Sequence, residues 1–141
     1  MRSTVLLLAT LLLATLLLTA CSDEASDSSA FLEATVTVYD AAEEGEQQYR
    51  CDADGHDAAS GDPDAGCRDL VAEQDFLVEG EPDGALCTGL YGGPEVATIE
   101  GTVDGEAFVR NIDRTDGCGI QRWDDLSGAL GEPDGEPLPE M

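Results

Sequence analysis

Alternating apolar and polar side chains predict a first strand over residues 31–39. Every second residue there is apolar, and the residues between are polar or aromatic. The apolar set is Leu32, Ala34, Val36 and Val38. A period of two is typical of a strand that buries one face. Acidic residues around Gly45 then turn the chain, and residues 48–51 are predicted to return beside the first strand as the second strand.

A hairpin is predicted around Asp104-Gly105, because this dipeptide favours the two-residue turn between antiparallel strands. The turn pairs residues 95–103 with residues 106–113 and sets Val103 opposite Glu106. The same register gives three further pairs: Gly101 with Phe108, Ile99 with Arg110, and Ala97 with Ile112. One face of the hairpin is mostly apolar and the other is polar, as in an antiparallel sheet with one solvated side.

Two short helices are predicted from capping residues and helical spacing. Asp62 and Pro63 supply an N-cap and a proline suited to the first helical position, and Asp64 adds negative charge to the first turn. Apolar residues continue through residues 67–78, until glycine and proline interrupt them. The second helix is predicted over residues 121–130, where apolar residues recur at helical spacing: Trp123, Leu126 and Leu130. These elements predict an α+β domain with a predominantly antiparallel sheet.

The first 20 residues differ in kind from the rest of the chain. Arg2 precedes an apolar run over residues 5–18, which is short for a membrane span. A charged start, an apolar run and small residues before a cleavage point are typical of an export signal. Cys21 directly follows Leu-Thr-Ala, where bacterial lipoproteins carry the lipid-accepting cysteine. We therefore expect export, lipidation of Cys21 and anchoring at the outer face of the bacterial cell membrane, facing the extracellular side. The alternative is an ordinary signal peptide with Cys21 as a free thiol.

Polar and acidic segments flank the predicted domain. Residues 22–30 contain only serine, aspartate, alanine and glutamate, so residues 21–30 are expected to form a flexible tether. Residues 131–141, GEPDGEPLPEM, are expected to form a disordered acidic tail. The folded part is then residues 31–130, one domain of ordinary size.

The chain holds five cysteines, and setting Cys21 aside for lipid leaves four. Cysteines of an exported protein commonly form disulfides, and four of them allow three pairings. The sequence favours two local loops, Cys51 with Cys67 and Cys87 with Cys118. A zinc site is the alternative, but there is no C-x-x-C spacing and only one histidine. We expect neither a metal nor a cofactor.

Residues 52–57, DADGHD, invite comparison with a calcium-binding EF-hand loop. Aligning Gly55 with the glycine of that loop places Arg50 at the first ligand position and Gly61 at the last, and neither residue can act as the required ligand. A weak surface calcium site is the remaining alternative to a solvated disulfide loop. An enzyme is not expected, because His56 is the only histidine and lies in a loop rich in glycine and aspartate.

The chain is strongly acidic, with 31 acidic residues, six arginines and no lysine. Removal of Arg2 with the signal leaves five arginines against the same 31 acidic residues, a net charge of −26. So few cations cannot neutralise phosphates, which excludes nucleic acid as a partner. The charge is compatible with solubility in salty or crowded surroundings and with steering of a basic partner. Composition alone does not separate these two interpretations.

Residues 86–94, LCTGLYGGP, predict an exposed and tethered loop. A cysteine in an extended segment fixes the backbone to another part of the chain. The glycines and proline that follow, residues 92–94, stop the segment from continuing as a strand or helix. A segment held extended from both ends offers its own backbone to a protease. Cys118 lies in a second conspicuous segment, residues 116–123, which also carries the only tryptophan.

Three segments together resemble the subtilisin-inhibitor-like family of actinobacterial secreted protease inhibitors. They are RCDADGHDAASGDPDAGC, CTGLYGGP and RTDGCGIQRWDDL. The resemblance covers residues 32–130, and the four cysteines fall in the family order. It implies the pairs Cys51–Cys67 and Cys87–Cys118, a five-stranded antiparallel sheet with two short helices, and a homodimer. The implied partner is an extracellular serine protease that is subtilisin-like or accepts small specificity residues.

The resemblance also implies a reactive bond two residues past Cys87, between Gly89 and Leu90. The rest of the inhibitory loop would be Leu86, Cys87, Thr88 and Tyr91, with Leu86 able to fill an apolar pocket of the protease. Such an inhibitor binds like a substrate but is cleaved slowly, because its rigid loop releases little strain on cleavage and the new ends remain in place to rejoin.

Two positions depart from the family pattern. Asp116 stands where the family usually has an asparagine that supports the loop from behind. Gly89 offers no side chain to the primary specificity pocket, where an anchor residue commonly contributes about 2 kcal/mol or more. The sequence therefore predicts a lipid-anchored serine protease inhibitor. The alternative is a non-inhibitory binding or structural module of the cell envelope that retains the inhibitor fold.

Overall fold

A computed structural model describes residues 30–39, 41 and 44–133. The predicted export signal, Cys21, nearly all of the tether and most of the acidic tail lie outside the described residues. Within the described ranges, no helix has the length and apolar character needed to cross a membrane.

Four antiparallel strands form one sheet in the order β2-β1-β3-β4. The strands are β1 (Leu32–Tyr39), β2 (Gly45–Cys51), β3 (Val96–Val103) and β4 (Glu106–Asp113). The antiparallel sheet of an α+β fold is confirmed, but the expected fifth strand is wrong for the described residues. Residues 85–95 are rich in glycine and proline, and they contact the chain after β4 through single backbone hydrogen bonds rather than a ladder.

The alternation predicted for β1 and the register of the β3–β4 hairpin are both confirmed. The apolar residues of β1 are all buried: Leu32, Ala34, Val36 and Val38. All four predicted cross-strand pairs of the hairpin occur, including Gly101 with Phe108. Gly101 also lies against β1, where a Cβ atom would collide with the carbonyl oxygen of Glu33 and the backbone of Ala34.

Gly101→Ala is therefore expected to destabilise the domain by about 1–3 kcal/mol, since the added methyl group overpacks a sheet interior formed by backbone. Gly45→Ala is the matched control, because a Cβ atom on that strand glycine meets nothing within 4 Å. Urea denaturation of both variants measures the difference. Equal midpoints for Gly101→Ala and the wild type would contradict the close approach of β1 to Gly101.

Among the residues that the structure describes, four short helices replace the two that the sequence predicted. They are α1 (Ala65–Ala72), α2 (Gln74–Glu79), α3 (Gly117–Asp125) and α4 (Ser127–Leu130). The breaks fall at Glu73 (φ −96°, ψ 18°) and Leu126 (φ −108°, ψ 14°). Contacts distant in sequence accompany both breaks. Glu73 binds Arg122 of α3 at 2.7 Å, and the Gly128 N–H of α4 donates to the Asp69 carboxylate of α1 at 2.8 Å.

Both helix starts differ from the predicted ones. Asp64, rather than Asp62, caps α1, because its carboxylate accepts the Cys67 N–H at 2.7 Å. α3 begins at Gly117, four residues before the predicted start at residue 121, because Asp116 caps it in the same way.

The helices cover the apolar face of the sheet, and the disulfide Cys51–Cys67 lies inside this core. It joins the end of β2 to α1, as predicted. Trp123 is buried with Leu126, and its indole N–H donates to the Gly131 carbonyl at 3.1 Å. The sheet and the helices packed on it form the frame of the domain. The long loop of residues 80–95 lies at the end of this frame where β4 leads into α3.

Candidate functional site

The predicted inhibitory loop is exposed and has no regular secondary structure. Three large apolar side chains project from it into solvent. They are Leu86 (98% exposed), Leu90 (63%) and Tyr91 (56%). Thr88 and Gly89 are exposed as well. The predicted loop residues therefore lie on one segment that is accessible to solvent.

The loop is tied to the frame at three points around the Gly89-Leu90 bond. The disulfide Cys87–Cys118 joins its first half to α3, as predicted. The Thr88 carbonyl accepts the Gly117 N–H at 2.9 Å, and the Gly92 N–H donates to the Arg114 carbonyl at 2.7 Å. Only residues 89–91 lie between the two hydrogen bonds. The Gly89-Leu90 bond is thus exposed while the backbone on each side of it is held.

Asp116 lies behind the first half of the loop and caps α3. Its carboxylate accepts the Gly119 N–H at 2.9 Å and lies within 4.8 Å of both sulfur atoms of the loop disulfide. These sulfur atoms are bonded to each other, so the three residues are not free metal ligands. Asp116 directly precedes Gly117, whose N–H donates to the Thr88 carbonyl, and its role as loop support stays a prediction.

Glycines at the start of α3 allow close approach of the loop on one side and of the end of β4 on the other. A Cβ atom on Gly117 would collide with the hydroxyl oxygen of Thr88. A Cβ atom on Gly119 would collide with the Asp113 carbonyl. The Gly-Cys-Gly sequence of residues 117–119 therefore allows the disulfide, the helix and the loop backbone to pack at one place.

A buried ion pair that was not predicted from the sequence lies behind the second half of the loop. Arg114 and Glu95 meet at 3.1 Å with side chains that are 8% and 2% exposed. A Cβ atom on Gly93 would collide with the Glu95 carboxylate, and Gly93 has φ 149°, which favours glycine. The predicted register contained the necessary signal. Since Val96 pairs with Asp113, the residues just beyond that pair are Glu95 and Arg114.

Arg122 of α3 fixes the chain where the loop begins. Its guanidinium binds Glu81 at 2.5 Å and Glu73 at 2.7 Å, and it lies 4.4 Å from the ring centre of Phe76. The hydrogen bond that Arg122 donates to the Glu81 carboxylate is the main reason that the pKa of Arg122 is raised above its ordinary value. Arg122 therefore joins α3, the break after α1 and the start of the loop.

The five arginines of the described region are all held by carboxylates or carbonyls of the protein itself. Besides Arg114 and Arg122, Arg50 binds Glu33 and Arg68 binds Asp69. Arg110 donates to the carbonyl oxygens of Phe76 and Val78. Apart from Arg68, which pairs with its neighbour in α1, these arginines join different elements, and the surface that remains is dominated by carboxylates.

The aspartate-rich disulfide loop forms a tight turn. The Asp52 carboxylate accepts the backbone N–H groups of Asp54 and His56, each at 2.9 Å, and the bond from His56 is the main reason that the pKa of Asp52 is lowered. The potential ligand atoms of these three residues lie within 4.8 Å of one another. Both N–H groups bind Oδ1, while Oδ2 lies 3.5 Å from Nδ1 of His56. The turn accounts for the position of the Asp52 carboxylate, and a weak calcium site at this cluster stays a prediction.

Comparison with known proteins finds no family model, no curated protein and no solved structure that matches this chain. The resemblance to subtilisin-inhibitor-like proteins therefore rests on the sequence motifs alone.

Proposed function

We propose that this protein is a standard-mechanism inhibitor of extracellular serine endopeptidases, with Gly89-Leu90 as its reactive bond. The single observation that carries the proposal is the bracketing of an exposed bond by a disulfide and two backbone hydrogen bonds. A protease can reach this bond, while the chain on each side stays attached to the frame. Restraint of this kind lowers the entropy lost on binding and keeps the cleaved ends close together.

The proposed partner is a subtilisin-like protease or one that accepts a small specificity residue, since Gly89 presents no side chain. The carboxylate-rich surface favours approach to a protease with a basic face. The proposal includes lipidation of Cys21 and therefore action at the outer face of the cell membrane. A homodimer, no nucleic acid partner and no cofactor complete the proposal. We propose no catalytic role for any residue of the loop.

The alternative function is a non-inhibitory binding or structural module of the cell envelope. Gly89 favours it, because the position that usually anchors such an interface is empty. A panel assay separates the two functions. The purified protein should inhibit at least one of subtilisin, trypsin, chymotrypsin and elastase with a one-to-one stoichiometry and with slow cleavage. If all four enzymes keep full activity at micromolar protein, the inhibitor proposal is wrong.

Lipidation of Cys21 is expected to give the membrane-associated protein the mass of a chain that begins at Cys21 and carries acyl groups. More than one acyl group is expected on Cys21, because stable membrane anchoring takes more than one acyl chain. Mass spectrometry of the membrane fraction checks this, with Cys21→Ser as the control that should lose the modification. An unmodified thiol at Cys21 in the wild type, or a mature terminus elsewhere, would disprove the anchor.

A further inference from the structure

The side chains of the loop are unevenly placed about the proposed reactive bond. Among the described residues, five large apolar side chains are strongly exposed, and three of them belong to this loop: Leu86, Leu90 and Tyr91. Two of those three directly follow the bond. Gly89, directly before it, has no side chain, and a Cβ atom placed there would meet nothing within 4 Å. Apolar surface concentrated on one segment marks an interaction site.

The two residues after the bond are also better held than Leu86. Leu90 and Tyr91 lie between the Thr88 and Gly92 backbone hydrogen bonds. Gly92 packs so closely on Ile120 that a Cβ atom would lie 2.7 Å from the Ile120 side chain. Leu86 lies before the disulfide, outside both hydrogen bonds, and is 98% exposed. A side chain on a restrained backbone loses less entropy when it enters a pocket.

We infer that Leu90 and Tyr91 determine which class of protease this loop inhibits. The inference rests on the proposed inhibitory function. That class has a shallow primary pocket, where a glycine loses less buried surface than in a deep pocket, and apolar pockets for the two residues after the scissile bond. Elastase, with its small primary pocket, represents this class, whereas chymotrypsin has a deep hydrophobic slot. Because Gly89 would leave such a deep slot empty, chymotrypsin would bind the loop without its main side-chain contact.

The test measures inhibition constants of the full protein against elastase and chymotrypsin for Leu90→Ala, Tyr91→Ala and Leu86→Ala. Each of the first two changes should raise the elastase constant about tenfold or more, the loss expected when a buried apolar side chain is truncated. Val109→Ala is the matched control, since Val109 is 56% exposed, like Tyr91, but lies on β4 outside the loop. It should change the constant by less than about twofold. The wild type should inhibit elastase more strongly than chymotrypsin.

Two other outcomes overturn the inference in distinguishable ways. If the wild type inhibits but only Leu86→Ala weakens inhibition, recognition lies before the bond and the inhibitory function itself stands. If the wild type inhibits neither these enzymes nor subtilisin and trypsin, the inhibitory function fails, and this inference fails with it. All three loop positions are exposed, so a circular dichroism spectrum unchanged from the wild type should confirm that the variants fold.

Discussion

Replacing Cys87 and Cys118 together with alanine is expected to turn the protein from an inhibitor into a substrate. The disulfide closes a separation of 31 residues, and in the chain-entropy model its loss costs about 3–4 kcal/mol of stability. The first half of the loop would then be held mainly by the Thr88–Gly117 hydrogen bond. Ordering even two freed residues on binding costs about 2–4 kcal/mol. We therefore expect the inhibition constant to rise about a hundredfold or more, and cleavage to become faster.

The second disulfide provides the matched control for this prediction. Replacing Cys51 and Cys67 with alanine opens a separation of 16 residues and costs about 3 kcal/mol of stability, yet leaves every contact of the loop in place. Both double variants are compared at a low temperature where circular dichroism shows them folded. Only the removal of Cys87–Cys118 should weaken inhibition. Equal inhibition by the two variants would show that loop restraint does not cause inhibition.

Gly89→Met is expected to tighten inhibition of subtilisin by about tenfold to a hundredfold, because it supplies the missing anchor. The structure accommodates the change, since a Cβ atom on Gly89 meets nothing within 4 Å and the backbone is not in the left-handed region that favours glycine. Removing glycine also lowers the backbone entropy lost on ordering by about 0.5–1 kcal/mol. Both effects act in the same direction, and Gly89→Leu should behave similarly.

Two variants control for effects outside the specificity pocket. Gly45→Met adds the same side chain at another glycine with open space, on β2, and should leave inhibition unchanged. Gly89→Lys should shift preference towards trypsin, whose primary pocket carries an aspartate. The measurement is the inhibition constant of each variant for subtilisin and trypsin. If no variant at Gly89 changes inhibition of either enzyme, the reactive bond is assigned to the wrong place.

Side-chain periodicity and turn chemistry were sufficient to predict β1 and the register of the β3–β4 hairpin, but not the number of strands. The alternation in β1 and the Asp104-Gly105 turn determine which residues face the core, because a shift by one residue would expose the whole apolar set. The helices were predicted less well, since their breaks accompany contacts between distant residues. The Asp69–Gly128 bond and the Arg122–Glu73 pair are examples, and no local pattern announces either of them.

The loop was predicted in outline, but the groups that hold it were not. Cys87 and the glycines of residues 86–94 indicated an exposed, tethered segment. The hydrogen bonds from the Gly117 N–H and to the Arg114 carbonyl use backbone atoms, which have no sequence signature. The Glu95–Arg114 ion pair could have been inferred, because the hairpin register already placed both residues just beyond its open end.

The inhibitory mechanism is tested most directly by identifying the bond that a bound protease cleaves. The purified protein is incubated with the enzyme of the panel that it inhibits most strongly, and mass spectra are recorded with and without reduction. We predict slow cleavage at Gly89-Leu90 alone. The unreduced product should be one species heavier by one water, joined by Cys87–Cys118, and still inhibitory; reduction should release two fragments. Rapid cleavage at other bonds, or loss of inhibition once Gly89-Leu90 is cut, would contradict the inhibitory mechanism.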